Sequence, residues 1–263
     1  MTAAINRHIS LVHRAAVFLI PLFIGLAHAV RSQTDGLPAD PTAGSTQAVV
    51  VRIPTWQSTT GTLQLYDRPM SGLPWVPVTR GVSVILGRTG VAWGSGLHGD
   101  SILPGPVKHE GDGKAPAGIF PLTAVFGYAP AESVAFLSMP YVEATKTCRC
   151  VDDPRSAYYN LILDSARVAD ADWSSAERMR LNGIDYRWGV IVGQNSTPRT
   201  PGRGSCIFLH IWESPSAVTT GCTAMDAGEA ESLVRWLRSE RKPLLIQLPD
   251  AEYTSLRERW RLP

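Results

Sequence analysis

The chain has 263 residues, 44% of them apolar and 18% charged, with 23 Gly and 20 Pro. That balance excludes intrinsic disorder, a collagen-like repeat and a long coiled coil. The formal charge is +2, and two basic residues, Arg7 and Arg14, lie in a first stretch of 29 residues that holds no acid. The remainder carries equal numbers of basic and acidic groups. Nothing draws such a body globally to phosphate, so nucleic-acid binding is not expected.

Arg7 and Arg14 precede an uncharged apolar run, Ala15–Leu26, which exits through Ala27-His28-Ala29. A basic flank, a short apolar centre and a small-x-small exit describe a secretory signal peptide over residues 1–29, cleaved after Ala29. The competing reading, a retained anchor, needs about 20 apolar residues, whereas this run is shorter and contains Pro21. No Cys precedes Cys148, which excludes lipid attachment at the cleavage site. The mature chain is expected in the periplasm, with no stable membrane insertion after cleavage. Residues 30–47 are polar and rich in breakers, and read as a flexible tether.

A domain over residues 48–249 follows. Short apolar, β-branched runs separated by Gly and Pro predict strands at Ala48–Ile53, Gly61–Tyr66, Val82–Leu86, Gly118–Leu122, Tyr158–Leu163, Tyr186–Val192, Cys206–Trp212 and Leu244–Leu248. Their spacing favours a mainly β sandwich or barrel-like fold. Two helices are predicted. One is short, Ser174–Asn182. The other starts at Asp226, with Glu229 three residues on, repeats Ala230, Leu233, Val234 and Leu237 at helical spacing, and ends by Pro243. The tail, residues 250–263, carries several charges and Trp260 and gives no readable signal.

In an exported chain the four cysteines, Cys148, Cys150, Cys206 and Cys222, meet conditions in which disulfides persist. They allow two bridges in any of three connectivities. Cys148-Arg149-Cys150 also looks like half a metal site, with Cys206 four residues from His210, although spacing this irregular is a weak zinc signal. Asp152 and Asp153, a paired-carboxylate candidate, stand before Pro154, where such residues cap or turn a loop.

After signal cleavage three histidines remain, His98, His109 and His210, and a neutral-pH general base is sought among them. His210 lies in an apolar strand, sharing a face with Phe208 and Trp212, while Ile207, Leu209 and Ile211 occupy the other. A buried core histidine therefore competes with a base. Cys222 sits in Thr219-Thr220-Gly221-Cys222, four residues before the Asp226 helix start. Amides near a helix start favour a thiolate, and Gly221 permits a tight turn that can shape an oxyanion hole. A strand-borne imidazole and a thiol on a Gly turn are the components of nucleophilic Cys–His catalysis, against which stand disulfide and core roles for the same residues.

At these residues the sequence resembles the L,D-transpeptidase catalytic domain family (the YkuD, or ErfK/YbiS/YcfS/YnhG, family). The stretch Gly202–Met225 carries its His, loop and Thr-x-Gly-Cys turn. The segments Lys108–Leu122, Cys150–Asn160 and Gly183–Gly193 also resemble family blocks. The resemblance implies a β-sandwich-like fold of mixed sheets with few short helices. It makes Cys222 the nucleophile, His210 its base, and Thr219, Thr220 and Gly221 the oxyanion turn. It also suggests a Cys150–Cys206 bridge that leaves Cys222 reduced and Cys148 unexplained. The implied reaction needs no cofactor or metal. The thiol attacks a peptidoglycan stem peptide, releases the terminal D-Ala, and passes the acyl group to an acceptor amine as a 3→3 crosslink. Trp212, Arg203 and Lys114 are candidates for lining the substrate. The loop from His210 to Cys222 is shorter than is usual in the family, Thr220 stands where many members have His, and Ala224 where many have Arg or Asn. Two alternatives are an L,D-carboxypeptidase or amidase, in which water resolves the same thioester, and a non-enzymatic wall-binding or zinc-stabilised β domain.

Overall fold

The computed structural model describes residues 40–99 and 103–263. The predicted signal peptide and the tether up to residue 39 lie outside the described residues. The strands in chain order are β1 (Gln47–Ile53), β2 (Thr60–Asp67), β3 (Val76–Pro77), β4 (Val82–Ile85), β5 (Val91–Trp93), β6 (Ala115–Gly127) and β7 (Tyr141–Glu143). They continue as β8 (Cys148–Val151), β9 (Ile162–Asp164), β10 (Ala176–Arg178), β11 (Trp188–Val192), β12 (Phe208–Ile211), β13 (Thr223–Met225) and β14 (Leu244–Pro249). Two α-helices are described, α1 (Ala227–Trp236) and α2 (Asp250–Leu256).

The fold is mainly β with mixed sheets. Eight strands pair in the order β1-β14-β6-β11-β12-β13-β4-β2, and β2 pairs back onto β1. The path therefore closes as a barrel, where the sequence left sandwich and barrel open and the resemblance favoured a sandwich. Closure satisfies the edge strands that an open sheet would expose. Two contacts in the ring, β1 with β14 and β12 with β13, are parallel. The runs Val49-Val50-Val51 and Leu244-Leu245-Ile246 are buried throughout. This is the pattern of strands covered on both faces, and it is why they read in sequence as unbroken apolar runs.

Alternation along β12 divides two cores. Leu209 and Ile211 belong to the main core, along with Ile207 just before the strand and the buried face of α1. Phe208 points the other way, into a second cluster with Phe126, Tyr186 and all four cysteines. A small antiparallel sheet, β10-β8-β9, supplies Cys148 and Cys150 to that second cluster. The cysteine chemistry thus lies on the opposite face of β12 from the main core.

Several local expectations are corrected. Ser174–Asn182 is not a helix. Ala176–Arg178 pairs with Arg149–Val151 of β8, and the Ser174 amide and hydroxyl donate to Asp153 at 2.8 and 2.6 Å. Tertiary pairing overrides the weak local propensity there. Of Tyr158–Leu163 only the end is strand, because Asn160 holds φ at +58° and turns the chain. Helix α1 is capped by Asp226, which accepts from the Gly228 amide at 2.8 Å, and it ends at Trp236 well before Pro243. The final residues of the tether are packed, since the buried Arg68 guanidinium donates to the Thr42 and Ser45 carbonyls at 2.6 and 2.7 Å. The tail also belongs to the core. Trp260 is fully buried, and Tyr253, Leu256 and Leu262 join the same cluster. Among the described residues no helix is long and apolar enough to cross a membrane.

Candidate active site

The Thr-Thr-Gly-Cys turn is built by backbone and one hydroxyl. Thr219 continues the pairing of β4, with its amide donating to Leu86 O at 3.0 Å and its carbonyl accepting from the Arg88 amide at 2.8 Å. Its Oγ1 donates to the Cys222 carbonyl at 2.6 Å and accepts from the Gly221 amide at 3.2 Å. Gly221 has φ +155°, and a Cβ there would stand 3.2 Å from the Lys114 carbonyl oxygen. The positive φ favours glycine, and the space beside it is tight. Because Thr219 takes up the Gly221 amide, what Gly221 contributes is the shape of the turn.

The Cys222 thiol is buried. The Phe208 amide donates to Sγ at 3.3 Å, and Sγ reaches the Cys206 carbonyl at 3.6 Å. Burial pushes the thiol pKa up, and the charge of Glu177 adds to this. The Phe208 amide, Lys108 and a hydrogen bond with Tyr186 oppose the rise. The thiol-lowering helix start expected from sequence does not govern the site. Strand β13 intervenes between Cys222 and α1, a separation of about 10 Å at about 3.3 Å per extended residue. Desolvation wins.

His210 lies on β12 beside Ala224 of β13. Its Nδ1 is 2.8 Å from the Ile211 carbonyl oxygen. A carbonyl only accepts, so Nδ1 carries the proton and Nε2 keeps the lone pair. The ring meets Tyr186 edge-on at 5.1 Å, and burial lowers the His210 pKa. The resting pair is therefore a neutral thiol and a neutral imidazole, with the proton moving only as the sulfur reacts.

Two openings meet at Cys222. A cavity of about 380 Å³ is lined by His210, Tyr186, Trp212, Thr219, Thr220 and Cys222. A polar cleft of about 280 Å³ shares Thr220 and Cys222, and adds Arg88, Lys108, Glu110, Asp152 and Glu177. Cys222 thus lies where a cavity that holds the His210 imidazole meets a cleft of mixed charges. Trp212 reaches the His210 side, as its place in sequence suggested. Lys114 does not line either opening and donates to the Thr89 carbonyl at 2.5 Å. Arg203 also lies away from both, its guanidinium 3.5 Å from Ser95 Oγ. His98 is buried, and its Nδ1 accepts from the Ile119 amide at 3.1 Å, so it is a core histidine.

Cys150 and Cys206 form a disulfide that spans 56 residues and joins the small sheet to the start of the β12 segment. Cys148 and Cys222 are free. Among the described residues no group of three or more His, Cys, Asp and Glu side chains is placed to hold a metal ion. Asp153 caps its loop, accepting from the amides of Arg155 and Ser174. Asp152 departs from that reading by lining the cleft.

Glu177, Tyr186 and Lys108 were not singled out from the sequence. Glu177 is on β10, and the Tyr186 hydroxyl donates to its Oε1. Burial raises the Glu177 pKa to about 7. Lys108 is buried and paired with Asp112 at 2.6 Å. No protein-family model, curated protein or solved structure matches the chain. Any functional reading therefore rests on the site.

Proposed function

We propose that this protein is a cysteine acyltransferase of the L,D-transpeptidase kind, acting in the periplasm on peptidoglycan stem peptides. One observation carries the reading. Cys222, on its glycine turn, lines the same cavity as His210, whose tautomer leaves Nε2 free to accept a proton. In the acylation step Sγ attacks the carbonyl of the third stem residue as His210 takes the thiol proton. The same imidazole returns that proton to the departing D-Ala amine, leaving a thioester. An acceptor amine then attacks the thioester and Cys222 is regenerated. No nucleotide is consumed, because the thioester conserves the energy of the bond it replaces. The two openings at the sulfur suit a donor and an acceptor arriving from different sides. The Cys150–Cys206 disulfide favours an oxidising compartment, and with Cys206 taken up by that bridge its neighbour Cys222 stays a free, buried thiol.

The test is intact mass after incubation with a muropeptide tetrapeptide, followed by a D-amino acid or diamine acceptor. The expected result is a tripeptidyl adduct on Cys222, absent from Cys222→Ala, that moves to the amine in proportion to its concentration. Free tripeptide as the sole product, whatever the amine, replaces the transferase reading with the hydrolase. An adduct surviving in Cys222→Ala overturns the site.

A further inference from the structure

Away from the sulfur, one surface segment departs from the usual make-up of a water-facing loop. Among the described residues ten large apolar side chains are exposed, and four of them fall between Met70 and Val78. Met70, Leu73, Val76 and Val78 are 61%, 43%, 56% and 46% exposed, whereas exposed apolar residues are normally scattered singly. They belong to a hairpin that leaves β2 at Asp67, turns through Pro69–Trp75 and returns as β3. Between Arg68 and Arg80 its sequence, PMSGLPWVPVT, holds no charge.

The hairpin is a shaped projection. The Leu73 and Val78 amides donate to the Met70 and Leu65 carbonyls at 3.3 and 2.8 Å. Trp75 anchors the base: the Arg68 guanidinium lies 4.0 Å over its ring, and its indole N–H donates to the Arg261 carbonyl at 3.0 Å. Strand β3 stands at the end of the sheet path and pairs only with β2. Pro69, Pro74 and Pro77 offer no N–H to an added strand. A partner that extends the sheet is thereby disfavoured. A surface that takes up apolar side chains and asks for no backbone partners fits.

Two observations name that surface as lipid. The base of the hairpin is ringed by cations. Arg241 donates to the Arg68 carbonyl at 3.0 Å, and Lys242 lies against Gly44, whose amide donates to Ser71 Oγ at 2.7 Å. The acids bonded there, Asp67 and Asp40, are ion-paired with Arg241 and Arg261 at 3.1 and 3.8 Å. Such a collar complements anionic headgroups. The first described residues also reach the body at this base, since the Thr42 and Ser45 carbonyls accept from Arg68. The apolar run Ala15–Leu26 precedes them, and the residues from Ala27 to Ala39 span at most about 45 Å when extended. While that run occupies a membrane during export, the hairpin base stays within that reach of the bilayer.

We propose that the hairpin Pro69–Thr79 is a membrane-contact element that sinks its apolar tip into the interface of an anionic bilayer while Arg80 and the basic collar engage the headgroups. The contact is shallow and reversible, with apolar and electrostatic parts that are weak singly and effective together. It goes beyond the acyl-transfer reading and does not depend on it.

The test takes the exported chain beginning at Val30, checked by intact mass. It is sedimented with vesicles of phosphatidylethanolamine and phosphatidylglycerol, and with vesicles of phosphatidylcholine alone, at low and high salt. Binding is expected on the anionic vesicles, weaker at high salt. Arg80→Gln should weaken it about fivefold, the effect of one cation at such a surface. Leu73→Ser combined with Val76→Ser should weaken it about tenfold or more, with an unchanged melt because both side chains are exposed. Hydrogen exchange across residues 69–80 should slow only when anionic vesicles are present. No binding to those vesicles, or binding that the double variant keeps at the parent's level, overturns the proposal. Slowed exchange across 69–80 that grows with protein concentration in the absence of lipid makes the occupant a second copy and overturns it as well. Each of these results leaves the chemistry at Cys222 where it stood, and a failure of stem-peptide acylation leaves the membrane contact where it stands.

Discussion

The ring of strands and the small sheet beside it hold the candidate site by different means. The ring contributes His210 from β12 and Cys222 from the turn before β13, and every one of its eight strands is paired on both sides. The small sheet contributes Glu177 from a three-residue strand and is fastened by the Cys150–Cys206 bridge, Asp153 and the Tyr186 hydroxyl. Position within the ring is over-determined by backbone pairing and core packing. In the small sheet it depends on a few covalent and side-chain links. The division teaches where to look for essential chemistry and where for adjustment of that chemistry.

The comparison breaks most readily at His210. Its loss should cut Cys222 acylation by about 10²–10⁴-fold, the usual effect of removing a general base, with a circular dichroism spectrum and melt near those of the parent. If His210→Ala instead unfolds the protein while activity per folded molecule persists, the ring holds a core histidine and no base. Next in size is Trp260→Ala. Removing so large a fully buried side chain should cost about 3–5 kcal/mol, seen as a shifted denaturant midpoint for the whole ring. Replacing Cys150 and Cys206 together by Ser should cost about 2–4 kcal/mol. Hydrogen exchange should rise first in Cys148–Val151 and Ala176–Arg178, while the ring strands stay protected. Uniform loosening of both regions would erase the distinction.

The smallest effect concerns pH. The Glu177 pKa is raised from 4.5 to about 7, so across that window the native state holds a proton that the unfolded chain has released. Stability contributed by this group is full below 4.5 and declines as pH rises through 7. Glu177→Gln should flatten that decline in urea titrations at pH 5 and 7.5. An unchanged slope would mean that Glu177 is ionised in the native state throughout.

Much of this division was legible before any coordinates. The apolar, β-branched runs of β1 and β14 announced strands, and their burial on both faces came only with the fold. The alternation of Phe208 and His210 against Leu209 and Ile211 announced the two faces of β12. The Thr-Thr-Gly-Cys turn was visible because its residues are contiguous. Glu177 and Tyr186 escaped notice because the site assembles them from segments with no shared local motif, one inside a stretch whose spacing imitates a helix. Lys114 and Arg203 flank Gly-rich segments close in sequence to the site's own residues, and that proximity does not bring them to the sulfur. Lys108 and Arg88 are the cations that line the cleft at Cys222. The closure of the ring was not readable either, since pairing of β2 with β1 and of β1 with β14 leaves no trace in composition or period.

That last pairing bears on when the molecule can become itself. Ala48 lies beside Leu244, and Val51 beside Gln247, so the ring joins segments separated by most of the chain. A polypeptide delivered from its N-terminus, whether by a ribosome or through a membrane channel, cannot close the ring until β14 has arrived. Trp260 seals the main core later still. Contacts of such long separation make for slow assembly, and until then β1 and β6 wait with β-branched edges exposed. The waiting interval, rather than the finished barrel, is where a partner that shields unpaired strands would matter most.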